Sequence, residues 1–227
     1  MLFDHNKAEK YELNYSKKWI DESYPSFIKE INEIKTNNTI TPHYLDLFFD
    51  NNLDEWNRFV KSVRTKNCME IASGPCGIFP FWQNWLEGNK TIIDPLINDY
   101  YDVVALKGQN WFDQSIIKYA VEAEELLDEY NNKIDGFILC RNGLDHCSNP
   151  YLVLENIGKY AASGCKFLFW SDIWHNQPPD EGHRQITKDI NEFEKFILNN
   201  NFELIRRTPQ VRPEGMTIEY GGVFIKK

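Results

Sequence analysis

Apolar positions follow two regimes along the chain. Over residues 1–65 they recur at helical spacing: Phe27, Ile31 and Ile34, then Leu45, Phe48 and Phe49, then Trp56, Phe59, Val60 and Val63. Asp21-Glu22-Ser23-Tyr24-Pro25 breaks the first stretch from the next, and Asn37-Asn38 with Thr41-Pro42 marks a loop. From residue 67 short apolar runs alternate with amphipathic ones. Cys68–Ala72, Thr91–Asp94, Asp135–Cys140 and Lys166–Trp170 read as strands. Asp102–Leu106 is too short for its period to separate strand from helix. Asn149-Pro150 predicts a helix start, with proline in the first turn, continuing through Val153, Leu154 and Ile157. Ile190, Phe193, Phe196 and Ile197 share a helix face, and Phe202–Ile205 with Tyr220–Ile225 predicts a closing β-ribbon.

The expected organisation is a helical N-terminal cap over residues 1–65 and one α/β core over 66–227. Strand–helix alternation predicts a mostly parallel sheet with helices on both faces. Such sheets bind ligands at the carboxyl ends of their strands, near the reversal of strand order. The loops after Ala72, Asp94 and Cys140 are therefore the places where chemistry is expected.

Size and charge narrow the function. A chain of 227 residues buries about 70% of its surface, enough for a single core with a few additions. The net charge is −9, and Arg206-Arg207 and Lys226-Lys227 are only pairs, so nucleic acid is not the expected partner. The runs near Ile92, Val103, Ile138 and Phe167 are far shorter than the ~20 residues of a membrane helix. Residues Met1–Lys10 hold no apolar signal segment. Five scattered cysteines, with no CxxC and no zinc-finger spacing, read as reduced thiols in a cytoplasmic protein.

The chemistry gathers around Glu70-Ile71-Ala72-Ser73-Gly74-Pro75-Cys76-Gly77, a strand running into a tight glycine-bearing turn. Bare backbone there admits a ligand closely. Asp94 ends the next strand, where a carboxylate can accept both hydroxyls of a ribose. Glu122-Ala123 precedes the Asp135 strand, and Arg141-Asn142-Gly143-Leu144-Asp145-His146 follows it.

On these residues the chain resembles class I S-adenosylmethionine-dependent methyltransferases, of the small-molecule kind often labelled methyltransferase type 11. The resemblance covers about residues 67–170. It implies a Rossmann-like fold, with a mostly parallel seven-stranded sheet, an antiparallel last strand and a helical N-terminal addition. It also implies S-adenosyl-L-methionine as cofactor, with the S-adenosyl-L-homocysteine product bound in the same place. Glu70 would stand near the sulfonium and amino end. Ala72, Ser73 and Gly74 would wrap the methionine part, Asp94 with Pro95 the ribose, and Glu122 with the Ala123 amide the adenine. Arg141 and Asn142 would lie beneath the cofactor. Where the family motif carries glycine, Ala72 and Cys76 stand here. That departure keeps a non-catalytic, methyltransferase-like binding subunit as an alternative. Ala72-x-Gly74-x-x-Gly77 also reads as a weakened dinucleotide fingerprint, and the Glu70 carboxylate argues against that nicotinamide reading.

On the acceptor side, an oxygen nucleophile calls for a base, and histidine suits neutral pH. His146 follows the central strand, while His175 and His183 fall in Ser171–Thr187, read as an irregular lid. Trp174 and Arg184 on that lid, with Tyr15 and Trp19 from the N-terminal helical segment, are the expected substrate contacts. Arg184 binds an anionic substrate group or pairs with Asp180 or Glu181. His175, Asp180 and His183 are too irregularly spaced to predict a metal site. The expected function is O-methylation of a small polar acceptor such as a sugar or surface-glycan precursor. The expected setting is soluble, without membrane insertion, with homodimerisation left open.

Overall fold

The computed structural model describes residues 9–18, 20–22, 29, 42–82, 85–105, 115–175, 182–207, 210–211 and 217–227. Phe27, Ile31 and Ile34 lie outside them, as does Trp19. Residues 9–18 and 20–22 are helical. Two further helices follow, α1 (Pro42–Phe49) and α2 (Leu53–Val63). The Asn52 side chain caps α2 by accepting from the Glu55 amide at 3.1 Å, with Asp54 and Glu55 in the favourable first turn.

The core then runs through β1 (Cys68–Ile71), a one-turn helix α3 (Phe79–Trp82), β2 (Lys90–Ile93), α4 (Ile97–Ala105), β3 (Ile116–Tyr119) and β4 (Phe137–Arg141). It continues with α5 (Pro150–Tyr160), β5 (Lys166–His175), α6 (Ile190–Asn199), β6 (Phe202–Arg207), β7 (Gln210–Val211) and β8 (Thr217–Lys226). The strand order is β3-β2-β1-β4-β5-β8-β6, with two-residue β7 paired to β8. Neighbours from β3 to β5 are parallel, and β8 runs antiparallel to both β5 and β6. The expected mostly parallel sheet with an antiparallel last strand is therefore present.

Strand alternation assigns side chains to two cores. Phe137 and Leu139 of β4 face one cluster with Trp56, Phe59, Trp82 and Trp85, where the Trp56 and Trp82 rings stand 4.8 Å apart. Ile138 and Cys140 face the other, with Met69, Ile71, Leu154, Ile157, Phe167 and Phe193. The continuous apolar runs of β1 and β4 follow from this burial on both faces. Strand order diverges between β1 and β4, so a crevice opens at their carboxyl ends. Among the described residues no helix is long and apolar enough to cross a membrane.

Three local outcomes differ from the sequence pattern or resolve it. The Asp102–Leu106 run falls in helix α4 as far as Ala105; Leu106 lies outside the described residues. β3 was not legible, because as an edge strand it buries only Ile116 fully. β5 continues to His175, so Ser171, Asp172, Trp174 and His175 are strand rather than lid. β8 supplies their pairing, from Ser171↔Tyr220 to His175↔Thr217, with a bulge between Asp172 and Trp174.

Candidate functional site at the switch point

The β1 turn is built on Glu70. Its carboxylate is buried, and both oxygens lie 2.8 Å from the Ile78 amide nitrogen. Gly77 lies against it; a Cβ there would stand 2.9 Å from Glu70 Oε2. Burial pushes the Glu70 pKa up to about 8, against the opposing pull of the Ile78 and Phe79 amides and the Arg141 charge. Glu70 therefore fastens the turn from beneath and does not line the cavities described below.

Above it the backbone takes two left-handed residues, Ala72 at φ +52° and Gly74 at φ +60°. Nothing stands within 4 Å of a Cβ built on Gly74, so its bare backbone faces open space. Ala72 bears the strain that glycine would not, about 1 kcal/mol. The β4 turn presses on this loop: a Cβ on Gly143 would stand 2.8 Å from the Ala72 carbonyl oxygen. Asn142, also left-handed at φ +49°, precedes it.

Asp94 joins the loops after β1 and β2. Its Oδ2 accepts from the Gly74 amide and its Oδ1 from the Leu96 amide, each at 2.9 Å. Burial raises its pKa to about 6, opposed by those two amides. Asp94, Pro95, Glu122 and Ala123 line one cavity of about 90 Å³ together with Ala72, Gly74 and Asn142. Asn156 of α5 fixes the Glu122 segment by donating to the Ala123 and Glu124 carbonyls at 3.2 and 2.9 Å.

A larger cavity of about 530 Å³ adjoins it and shares Ala72, Gly74, Asn142, His146 and Glu12. Ser73, Arg141, Tyr15 and His183 also line it. The N-terminal helical segment forms one wall, where the Tyr11 and Tyr15 rings stack at 6.3 Å. Glu12 from that segment reaches His146, with Oε1 3.1 Å from Nδ1. Burial alone would lower the His146 pKa. The hydrogen bond to Glu12, the Asp145 and Glu12 charges and a hydrogen bond to the Gly182 backbone overcome it and push the value up to about 9. At neutral pH His146 is thus an imidazolium held between two carboxylates. The His183 ring centroid lies 4.3 Å from that of His146, and that of His175 lies 6.1 Å from His183.

The remaining expected contacts lie elsewhere. Trp174, His175 and Arg184 line neither cavity. Lys188 Nζ sits 4.6 Å over the Trp174 ring. Arg184 ties down the β4 turn: its amide donates to the Asp145 carbonyl at 2.8 Å and its guanidinium to the Cys147 carbonyl at 3.0 Å. Trp19, Asp180 and Glu181 are outside the described residues, and the Cys76 side chain is not described.

Sequence reasoning missed Glu9 and Glu12, which line the smaller cavity. Their signal was available: Glu12, Tyr15 and Ser16 share one helical face and all meet the larger cavity. Asp145 was singled out only as part of the turn after β4, and Asp172 was missed because it falls in a segment read as an irregular lid.

No protein-family model and no curated protein matches the chain in sequence. Solved structures do match its fold. An S-adenosylmethionine-dependent methyltransferase from Mesorhizobium loti is similar at a TM-score of 0.55 and 11% identity, over 77% of this chain and 100% of that one. A 1,6-didemethyltoxoflavin N1-methyltransferase from Burkholderia thailandensis, bound to its namesake compound and S-adenosylhomocysteine, matches at 0.52 and 13%, over 82% and 86%. A phosphoethanolamine N-methyltransferase from Haemonchus contortus, also bound to S-adenosylhomocysteine, matches at 0.57 and 10%, over 78% of this chain and 52% of that one. The chain has the Rossmann-like fold of class I S-adenosylmethionine-dependent methyltransferases.

Proposed function

We propose that this protein is an S-adenosylmethionine-dependent methyltransferase that methylates an oxygen of a small polar acceptor such as a sugar or surface-glycan precursor. The observation that carries the reading is the meeting of Asp94, Glu122 and the Ala72–Gly74 turn around one cavity at the reversal of strand order. Each Asp94 oxygen accepts one amide hydrogen bond and keeps a further lone pair, which suits a pair of ribose hydroxyls. Glu122 and the Ala123 backbone, fixed by Asn156, suit the adenine edge. The open space at Gly74 suits passage of the methionine chain.

When bound, the cofactor supplies an electrophilic methyl group on a sulfonium, open to in-line displacement. The chain's own residues do the positioning, which supplies much of the acceleration in such a transfer. Glu70 holds the turn through the Ile78 amide. Arg141, Asn142, Tyr15 and His183 offer polar contacts in the larger cavity, matching a hydroxyl-rich acceptor. His146 is held by Glu12 and by the Gly182 backbone, so its part is to fix the wall of the cavity beside the acceptor. His183, beside it, is the group placed to take the acceptor's proton. We place the protein in the cytoplasm, supported by free, buried Cys68, Cys140, Cys147 and Cys165.

Calorimetric titration with S-adenosylhomocysteine tests the cofactor part: one saturable site is expected, and no heat from folded protein overturns it. An acceptor panel of sugars and polyols against matched amines tests the transfer. Consumption of S-adenosylmethionine only with amines overturns oxygen as the acceptor atom.

A further inference from the structure

The turn after β4 and the carboxyl end of β5 bring together a set of donors outside both cavities. Asp145 is fully buried. Its Oδ1 accepts from Ser171 Oγ at 3.1 Å, while its Oδ2 has no hydrogen-bond partner. His175 is oriented from behind, with Thr217 Oγ1 3.4 Å from Nδ1. Its Nε2 is buried without a hydrogen-bond partner, 3.9 Å from Asp172 Oδ2. One donor atom each from Asp145, Asp172 and His175 lie within 4.8 Å of one another.

These spacings discriminate. A separation of 3.9 Å is too long for a hydrogen bond. It suits two ligands of one ion, since donors about 2.0–2.2 Å from a shared metal stand up to roughly 4.2 Å apart. A buried carboxylate oxygen and a buried imidazole nitrogen, both without partners, are each costly, and a cation held by this trio would offset that cost.

We propose that Asp145, Asp172 and His175 bind one divalent transition-metal ion of the zinc–manganese class. Two carboxylates with one imidazole form a mixed donor set suited to those ions rather than to copper(I) or an iron–sulfur cluster. Ser171 on Asp145 and Thr217 on His175 are the outer contacts that aim the ligands. Asp145 also forms a comparable trio with His146 and His183. There, however, Glu12 Oε1 already stands 3.1 Å from His146 Nδ1, so the ion belongs on the His175 side. Through Asp145 the centre adjoins His146 and His183, which line the larger cavity. The inference goes beyond the methyltransferase reading and does not depend on cofactor binding.

The test titrates the chelator-treated full chain with Zn²⁺, and separately with Mn²⁺, by calorimetry, and records visible absorption with Co²⁺ as a spectroscopic substitute. One equivalent of Zn²⁺ is expected. His175→Ala should weaken it by about 100-fold, and Thr217→Val by about 10-fold. Asp145→Asn should abolish binding, judged only where its circular dichroism matches the wild type; His175→Ala, at a partly exposed position, carries the test if that variant does not fold. Absence of stoichiometric binding overturns the proposal, as does unchanged affinity in His175→Ala. Loss of binding in His183→Ala with His175→Ala unaffected places the ion in the other trio and also overturns it. A parallel titration with S-adenosylhomocysteine keeps the two readings apart, since either can fail while the other stands.

Discussion

Glu194 and Asp94 are both buried carboxylates, and the protein treats them in opposite ways. Glu194, on α6, receives the Arg207 guanidinium, with Nε 2.6 Å from Oε2, and the Tyr220 hydroxyl at 2.7 Å. Burial pushes its pKa up, but Arg207 and Tyr220 hold it below the usual carboxylate range. Asp94 receives only backbone amides and stands raised, as does Glu70 beneath it. The first arrangement is closed: acid, cation and hydroxyl come from three elements of one sheet edge and clamp α6 onto β6 and β8. The second keeps acceptor capacity unspent at the mouth of a cavity. Buried acids with raised pKa and no fixed cation mark places where a ligand completes the set.

The sharpest way to break this contrast is Asp94→Ala. Loss of the acceptor for two ribose hydroxyls should cost about 3 kcal/mol, or roughly 100-fold in S-adenosylhomocysteine affinity by calorimetry. Unchanged affinity would make Asp94 a loop tie and nothing more. Arg207→Ala should do the reverse. Stranding Glu194 should cost about 2–3 kcal/mol in urea unfolding, reduced from the fully buried value because the Arg207 side chain is 37% exposed. Cofactor affinity should stay within about 2-fold, so a large loss there would show that the two regions are coupled.

Glu70 sharpens the comparison through pH. Its folded-state pKa of about 8 lies above the ordinary 4.5, so the folded state binds the proton more tightly. The associated stability is fully present below about pH 4.5 and is lost as pH rises through about 8. Glu70→Gln should remove that slope and be more stable than wild type at pH 8.5, by about 1–2 kcal/mol in urea unfolding. Parallel pH–stability curves would contradict the burial argument. The smallest effect belongs to Ala72→Gly. Relief of the left-handed strain at φ +52° should stabilise the chain by about 0.5–1 kcal/mol. A destabilised variant would mean that the alanine methyl is a packing element.

Much of this architecture was legible. β1, β2 and β4 are short apolar runs because the centre of a parallel sheet is covered on both faces, and Asn149-Pro150 marks the start of α5 because capping chemistry is local. What escaped the pattern depends on partners distant in sequence. Residues 171–175 are polar enough to pass for a loop, and only pairing with β8 makes them strand. Glu12 meets His146 across the cleft, and no local pattern announces a pair so far apart. Motif spacing pointed to Asp94 and the family resemblance to Glu122, whereas Asp145 and Asp172 become neighbours only when β4 and β5 lie side by side.

The central claim is that the cleft at the ends of β1, β2 and β4 receives the cofactor. A crystal structure grown with S-adenosylhomocysteine tests it most directly. The account predicts ribose hydroxyls on the Asp94 carboxylate and adenine against Glu122 and Ala123. Ligand density at any other surface, with this cavity left to solvent, would contradict it.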